Sequence, residues 1–425
     1  MVLFFGVDMR KPAAILLLLL VFTGISARAQ SGCPDPRATN FNPTATVNDG
    51  SCQYASTSAP LTIKTALAST VPETSGLQFT GQALWTFNDS GNPPVLFRVD
   101  STSGNVLQQV RITNFPNVDW EDIAADAQYL YVGDFGNNNG NRRNLRVLRV
   151  LKSDIGPAVS DSVAAQEIAF SYPDQTTFNP GTNNHNFDCE AFFYFNDSLH
   201  LFTKNWADRQ TKYYTIPAQP GAYIAHFKGT FNVNGLITAA DINPAGSGAG
   251  LLGYNSSTGA TFLWLLSDFR GSRFLQGNKR RIDLPNALAI GQAEGLTFID
   301  RYRVFISNER FTTIFTVPQR LYALNTSRWL APAVPTGTHG QRGRVSGFVI
   351  APNPTGPSVR LERADGPPGD LALTLQDLQG RTVLKSRLAA AETAVEINVS
   401  QVAAGVYLLT IDAEAGTFSR KIEIP

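Results

Sequence analysis

Charge of either sign is scarce in this 425-residue chain. Charged residues make up 16% of it, and 35 Lys and Arg against 34 Asp and Glu leave a formal net charge of +1. That balance gives no electrostatic basis for binding nucleic acid or an anionic membrane. Histidine is scarce too: His185, His200, His226 and His339 include no closely spaced pair. With only Cys33, Cys52 and Cys189 beside them, the chain lacks the ligand spacing of a zinc site. The two methionines, Met1 and Met9, both fall in the first thirty residues. Clear helical patterning is missing as well. "GNNNGN" (Gly136 to Asn141) lacks the Lys and the helix of a phosphate loop. Ser90 in "NDSG" has no assignable base, so that motif reads as a turn.

What is present suits an exported, turn-rich β protein: 43% hydrophobic residues, 35 Gly, 25 Pro and 27 Phe. Residues 1–29 read as a signal peptide. Arg10 and Lys11 precede the apolar run Ala13 to Phe22, and Ala27 to Ala29 is an A-x-A cleavage site. That run is too short to span a bilayer, so no retained membrane anchor is expected. Export permits disulfides. Cys33 and Cys52 bracket a segment rich in Pro, Asn and Asp that can hardly order itself by burial, so these two are paired. Cys189 is left as a small buried thiol. Residues 30–60 thus form a Cys-bracketed module with the linker "ASTSAP" at its end. The segment resembles the short "GC-x-DP-x-A-x-N-[YF]-NP" modules of secreted Bacteroidota proteins through Tyr54. It departs from them at Asn48, where the module usually has Asp.

From about residue 61 to 335, short strands alternate with turns of Gly, Asn, Asp and Pro. Strand starts align at Ser75, Glu121, Glu190, Ala240 and Glu294, at intervals of 46 to 69 residues. Each is followed by a second strand ending in a polar turn, with "FLWLLSDFRG" filling that place in the fourth unit. The expected fold is all-β: a β-propeller of five blades followed by a small β-sandwich. The last unit lacks a fourth strand, which "LTIKTALAST" (Leu61 to Thr70) supplies from the N-terminal side. Six blades is the alternative, and a pair of β-sandwiches the third option. The string "ETSGL…LWTFNDSGN…DWEDIA…LYVGDFGNN…NFDCEA…LFTKNW…AEGLTF" resembles a group of secreted bacterial propellers, distantly phytase-like, with motifs such as ESSGL, NDSG and DWEDIA. The resemblance implies the fold and no particular activity.

In such a propeller the acidic strand starts and the polar turns converge on one rim of the channel. The rim set is Glu73, Asn88, Asp89, Asp134, Lys204, Asp268 and Glu309. Asp119, Glu121, Asp188, Glu190 and Glu294 form the expected metal set. Crowded carboxylates call for a hard cation, Ca²⁺. The competing expectation for each acid is that it accepts hydrogen bonds from amides of a neighbouring blade. No catalytic residue is assignable. The favoured function is binding of a small-molecule or glycan ligand by a monomer; the alternative is a metal-dependent ester or phosphate-ester hydrolase.

The last segment, 344–425, changes character to alternating strands. Pro352, Asn353, Pro354, Gly380, Arg381, Gly405, Tyr407 and Lys421 resemble the type IX secretion sorting domain. The resemblance implies the type IX machinery as partner, and release or attachment at the outer cell surface.

Overall fold

The computed structural model describes residues 30–312, 316–330, 343–345, 348–351, 355–363, 369–377, 380–413 and 416–424. The expected leader, His339 and the Pro352-Asn353-Pro354 part of the sorting motif lie outside them. The chain forms two compact units, divided between residues 333 and 334.

Among the described residues the first unit holds five sheets of four or five strands, each with an antiparallel core of four. Sheet one runs Thr74–Thr80, Ala83–Asn88, Val95–Val99 and Val106–Ile112, and Ser160–Val163 is added in parallel at its edge. Sheet two runs Trp120–Ala125, Tyr129–Asp134, Arg146–Leu151 and Gln166–Ser171, with Gly221–Ile224 added likewise. Sheet three is Asp188–Phe195, Ser198–Lys204, Thr211–Pro217 and His226–Phe231; sheet four is Leu236–Ile242, Gly248–Tyr254, Thr261–Ser267 and Asn278–Asp283. Sheet five takes Ala293–Phe298, Arg303–Asn308 and Arg320–Asn325 from one end of the unit. Its fourth strand, Thr62–Ala66, comes from the other end. That strand lies inside the segment expected to complete the last sheet.

Burial explains the order. The first strand of each sheet is buried on both faces, whereas an outer strand such as Val106–Ile112 alternates exposed and buried residues. First strands of consecutive sheets lie side by side, and that of sheet five lies beside that of sheet one. Apolar clusters fill the spaces between neighbours. Trp120, Leu96 and Val110 pack sheets one and two, and Phe192, Tyr131 and Tyr214 pack two and three. Phe202, Phe262 and Leu251 pack three and four, and Leu296, Leu263 and Tyr322 pack four and five. Leu77, Phe97, Phe305 and Leu321 pack five against one.

One expectation is corrected here. In sheet four "FLWLLSDFRG" belongs to the third strand, not the second, which is "GAGLLGY". Glycine disfavours a strand on intrinsic grounds, but crowding demands it here. A Cβ on Gly250 would come 2.9 Å from Leu296 Cδ2 in the next sheet. The strand-start alignment at Ala240 shifts accordingly.

The Cys33–Cys52 disulfide is present, and Cys189 is free and buried. The module it closes packs on sheet four: Asn48 Nδ2 donates to Asp268 Oδ2 (2.7 Å) and Asn278 Oδ1 (2.8 Å), and Lys279 Nζ donates to the Gly50 carbonyl (2.9 Å).

The second unit has two four-stranded antiparallel sheets. One is Gly343–Val345, Phe348–Ala351, Ser358–Arg363 and Ala394–Asn398. The other is Thr382–Leu388, Leu371–Gln376, Gly405–Ala413 and Gly416–Ile424. Phe348, Leu361, Leu373, Leu409 and Ile422 share their core. Gly380 (φ +81°) makes the turn after Asp377, and Tyr407 Oη donates to the Ala403 carbonyl at 2.7 Å. Gly405 begins a long strand, and Lys421 sits opposite Leu408 in its partner.

Polar ties cross the first unit's sheets near its centre. Asp122 Oδ1 accepts the Ile123 amide (2.8 Å), while Oδ2 accepts those of Phe192 in sheet three (3.0 Å) and Ala240 in sheet four (3.2 Å). Asp122→Ala leaves three buried donors unpaired and should lower stability by about 3 kcal/mol or more. Asp122→Asn, which keeps one acceptor, should lose less. Urea unfolding of both variants checks this; a loss below about 0.5 kcal/mol for the Ala variant, the size of an ordinary surface change, would show that the tie is not needed.

Candidate acidic site

The site is built from an irregularity shared by the first strands. In each of four sheets one residue near the strand start has no partner in the register: Glu121, Glu190, Thr238 and Glu294. In sheet one the skipped residues are Gly76 and Leu77. A bulge re-aims the side chain of its extra residue. Three of these side chains meet: one carboxylate oxygen each from Glu121, Glu190 and Glu294 lies within 4.8 Å of the others, and all three residues are buried. A second group, Asp89, Asp119 and Glu121, meets the same limit, so Glu121 belongs to both. A Cβ on Gly136 would collide with the Glu121 and Asp119 carboxylates, so only glycine fits behind them. Lys204, ending the second strand of sheet three, places Nζ 3.0 Å from Glu190 Oε2. The same Nζ lies 5.0 Å from the Trp206 ring and 5.8 Å from that of Tyr254. Gln292 Nε2 donates to Glu294 Oε1. Glu309 Oε1 is buried with no hydrogen-bond partner.

The other expected residues have other employment. Asp188 accepts the Asn137 amide (2.6 Å) and Trp206 Nε1–H (2.8 Å), which ties a loop down, and it is in neither carboxylate group. Asp134 is neutralised by Arg142 (3.0 Å) and Arg146 (3.1 Å). Asn88 accepts the Glu73 amide and donates to the Thr70 carbonyl, while Glu73 itself is exposed and accepts from Asn92. Asp268 is corrected out of the rim: it follows a third strand and is occupied by Asn48. His185 locks two loops, accepting the Phe187 amide at Nδ1 and donating from Nε2 to the Asn138 carbonyl. His200 is buried core, bonded to Tyr213 and pushed down to about 4 by burial. Sequence reasoning missed Tyr254, Gln292 and the fit of Gly136 behind the carboxylates. Gln292 alone had a signal, two places before an aligned Glu.

Residues 349–425 match the family described as secretion system C-terminal sorting domain. This marks the chain as a type IX secreted protein, sorted to the cell surface. Among the described residues no helix is long and apolar enough to cross a membrane. No curated protein matches the chain. Similar solved structures include an exo-β-1,3-galactanase from Phanerochaete chrysosporium, 11% identical over 89% of this chain and 95% of that one, with a TM-score of 0.38. A provisionally assigned 6-phosphogluconolactonase from Bacteroides uniformis is 12% identical over 78% of this chain and 90% of that one, with a TM-score of 0.32. Likeness at this level carries no argument about activity.

The electrostatics of the acidic site are unbalanced. Two carboxylates about 5 Å apart repel by about 3 kcal/mol at an effective dielectric of 20, and Lys204 answers one. Burial, then the charges of Glu190, Asp89 and Asp119, holds Glu121 well above the usual carboxylate range. Burial, then Asp89 and Asp188, pushes Asp119 up to about 7. Glu190 is also raised, by burial and against the pull of Lys204, and it shares a hydrogen bond with Glu121. A raised carboxyl binds its proton more tightly in the folded than in the unfolded state. Its stabilising contribution is present at low pH and is lost as pH rises through the folded pKa. With cations chelated, the melting temperature should therefore fall as pH rises from about 4.5 through about 7. Glu121→Gln should flatten that fall. A melting temperature that climbs steadily over this window would contradict the assignment.

Proposed function

We propose that residues 61–335 form a five-bladed β-propeller of the secreted bacterial group named above, preceded by a leader at 1–29 and a disulfide module at 30–60. Residues 344–425 sort it through the type IX machinery. The propeller is a monomeric binding protein that holds a divalent cation, Ca²⁺, at Glu121, Glu190 and Glu294 with Asp89 and Asp119. Through the cation and its rim it takes up a glycan or other small ligand outside the cell. The observation that carries this reading is the pair of carboxylate groups, one buried and one partly buried, that share Glu121 and have one lysine between them. Oxygen-only donors suit a hard cation, and the buried, unpartnered Glu309 Oε1 supplies a further acceptor nearby. Trp206 and Tyr254 give the rim aromatic faces beside Lys204.

A metal-dependent hydrolase of esters or phosphate esters is the second reading. Two cations sharing Glu121 would suit it, because a cation pair stabilises both the attacking and the leaving oxygen. Against it, Lys204 is committed to Glu190, and Arg142 and Arg146 to Asp134, so these three cations are not free to hold phosphate.

Added Ca²⁺ should raise the melting temperature, by about 2.7 kcal/mol in stability at a hundred times its dissociation constant, and EDTA should reverse the gain. The double variant Glu121→Gln with Glu190→Gln should lose this response. If wild type and variant behave alike, and no ion accompanies the purified protein, the acids are hydrogen-bond acceptors and the cation reading fails. Turnover of a phosphate or acyl ester by wild type but not by the variant would favour the hydrolase.

Removal of the sorting domain is tested separately. The surface or culture-fluid form should begin near Gln30 and lack the segment beyond about residue 344, read by mass spectrometry of the intact protein. An extracellular form that keeps "KIEIP" would overturn the processing step.

A further inference from the structure

A cationic residue stands on a face of sheet one that is otherwise built for packing. In "VLFRVD" the alternation places Leu96 and Arg98 on one face and Phe97 and Val99 on the other. Leu96 is fully buried against sheet two. Arg98 lies directly opposite Trp85 in the second strand and Gln108 in the fourth, so Trp85, Arg98 and Gln108 form a row across the sheet. Arg98 Nε is buried and has no hydrogen-bond partner, and among the described residues no carboxylate pairs with its guanidinium. Burying part of a guanidinium unpaired costs stability unless something else meets its donors.

Beyond this row lies a cleft of about 640 Å³, lined by Thr80, Trp85, Arg98, Gln108, Lys152 and Pro157 among others. Lys152 comes from the end of the third strand of sheet two. Its Nζ donates to Thr80 Oγ1 (2.8 Å) and to the Asp126 carbonyl (2.5 Å) and keeps one donor spare. Gln108 Nε2 is fixed by the Gly156 and Ala158 carbonyls, so it braces the wall rather than serving the cleft. Of the acids around it, Asp126 is occupied by the Tyr131 hydroxyl and the Gln128 and Tyr129 amides, and Asp161 by the Gly156 and Ser162 amides. Thr80 and Ala127 also line a second cavity, of about 560 Å³, where the first strands end, at Phe79, Tyr194 and Phe298. Glu121, Glu190 and Glu294 stand at the other end of these strands, so the cleft is separate from the acidic site.

We propose that this cleft is a second binding site, for a small organic oxyanion whose carboxylate or sulfate sits between Arg98 and Lys152 while its carbon frame lies against Trp85 and Pro157. Two donors on a planar guanidinium and one on an ammonium match an oxyanion's acceptors, and charge-assisted bonds in a half-buried cleft are the strong kind. Burial also lowers the pKa of Lys152, so its ammonium is partly stripped of water.

The test is calorimetric titration of the secreted chain, in EDTA, with glucuronate, with inorganic sulfate, and with glucose as the neutral control. Glucuronate should bind saturably and glucose should not. Sulfate binding as well as glucuronate would identify a free inorganic oxyanion as the source; sulfate binding more weakly would identify an anionic carbohydrate. Arg98→Gln and Lys152→Gln should each weaken binding about tenfold or more. Glu121→Gln, in the acidic site, should leave it unchanged. If Arg98→Gln does not fold, Lys152→Gln alone decides. No saturable binding of either anion, or binding that survives both substitutions, overturns the proposal: Arg98 then simply extends to water.

Discussion

One buried carboxylate ties the centre of the first unit together. Asp122, wholly buried in sheet two, gathers its own strand's amide and one from each of sheets three and four. Related ties continue around the sheets. Asp241 Oδ2 accepts the Phe298 amide of sheet five, and the Thr297 hydroxyl of sheet five accepts the Phe79 amide of sheet one. The Ser75 hydroxyl of sheet one donates to the Glu121 carbonyl of sheet two. Each first strand is the edge strand of its sheet and is buried on both faces, so amides on its open side cannot meet water and need acceptors from a neighbour. The apolar clusters supply most of the burial free energy, whereas these ties fix how each sheet is set against the next.

The acidic site depends on an irregularity in the same strands. A bulge turns its extra residue out of the regular alternation. Where that residue is Thr238, its hydroxyl donates to the Ala293 carbonyl and becomes another tie. Where it is Glu121, Glu190 or Glu294, the carboxylates face one another, with only the Gln292 side-chain amide on Glu294 and Lys204 on Glu190 to take them up among the described residues. The repulsion left over is of the order of one hydrogen bond per pair or more. Protonation, Lys204 and the proposed cation are the three ways to relieve it.

The N-terminal module shows a substitution explained by its surroundings. Asn48, where the resembling modules carry Asp, donates one amide group to both Asp268 and Asn278. An Asp at that position would set a carboxylate against Asp268 at hydrogen-bond distance and could donate to neither. The departure therefore suits docking of the module on sheet four. It also explains how Asp268 came to be read as a rim acid: its partner lies 220 residues away in sequence.

Much of the strand pattern was legible because burial writes it directly. The alternation of the outer strands, the closing segment around Thr62–Ala66 and the Cys33–Cys52 pair all follow from local composition. Sheet four was misread because Gly248, Gly250 and Gly253 hide a central strand behind poor β formers. The site itself was legible only by residue type. Glu121 and Asp122 are neighbours with the same chemistry, yet one faces other acids and the other is saturated with amides. A single unpaired residue separates their fates, since it decides which way each carboxylate points. Asp134 teaches the same point, for its arginines lie eight and twelve residues on, within a loop and the next strand. Acids recurring at strand starts thus show that the centre of the fold is polar, and only the register tells which of them are spent on holding the sheets and which remain to bind.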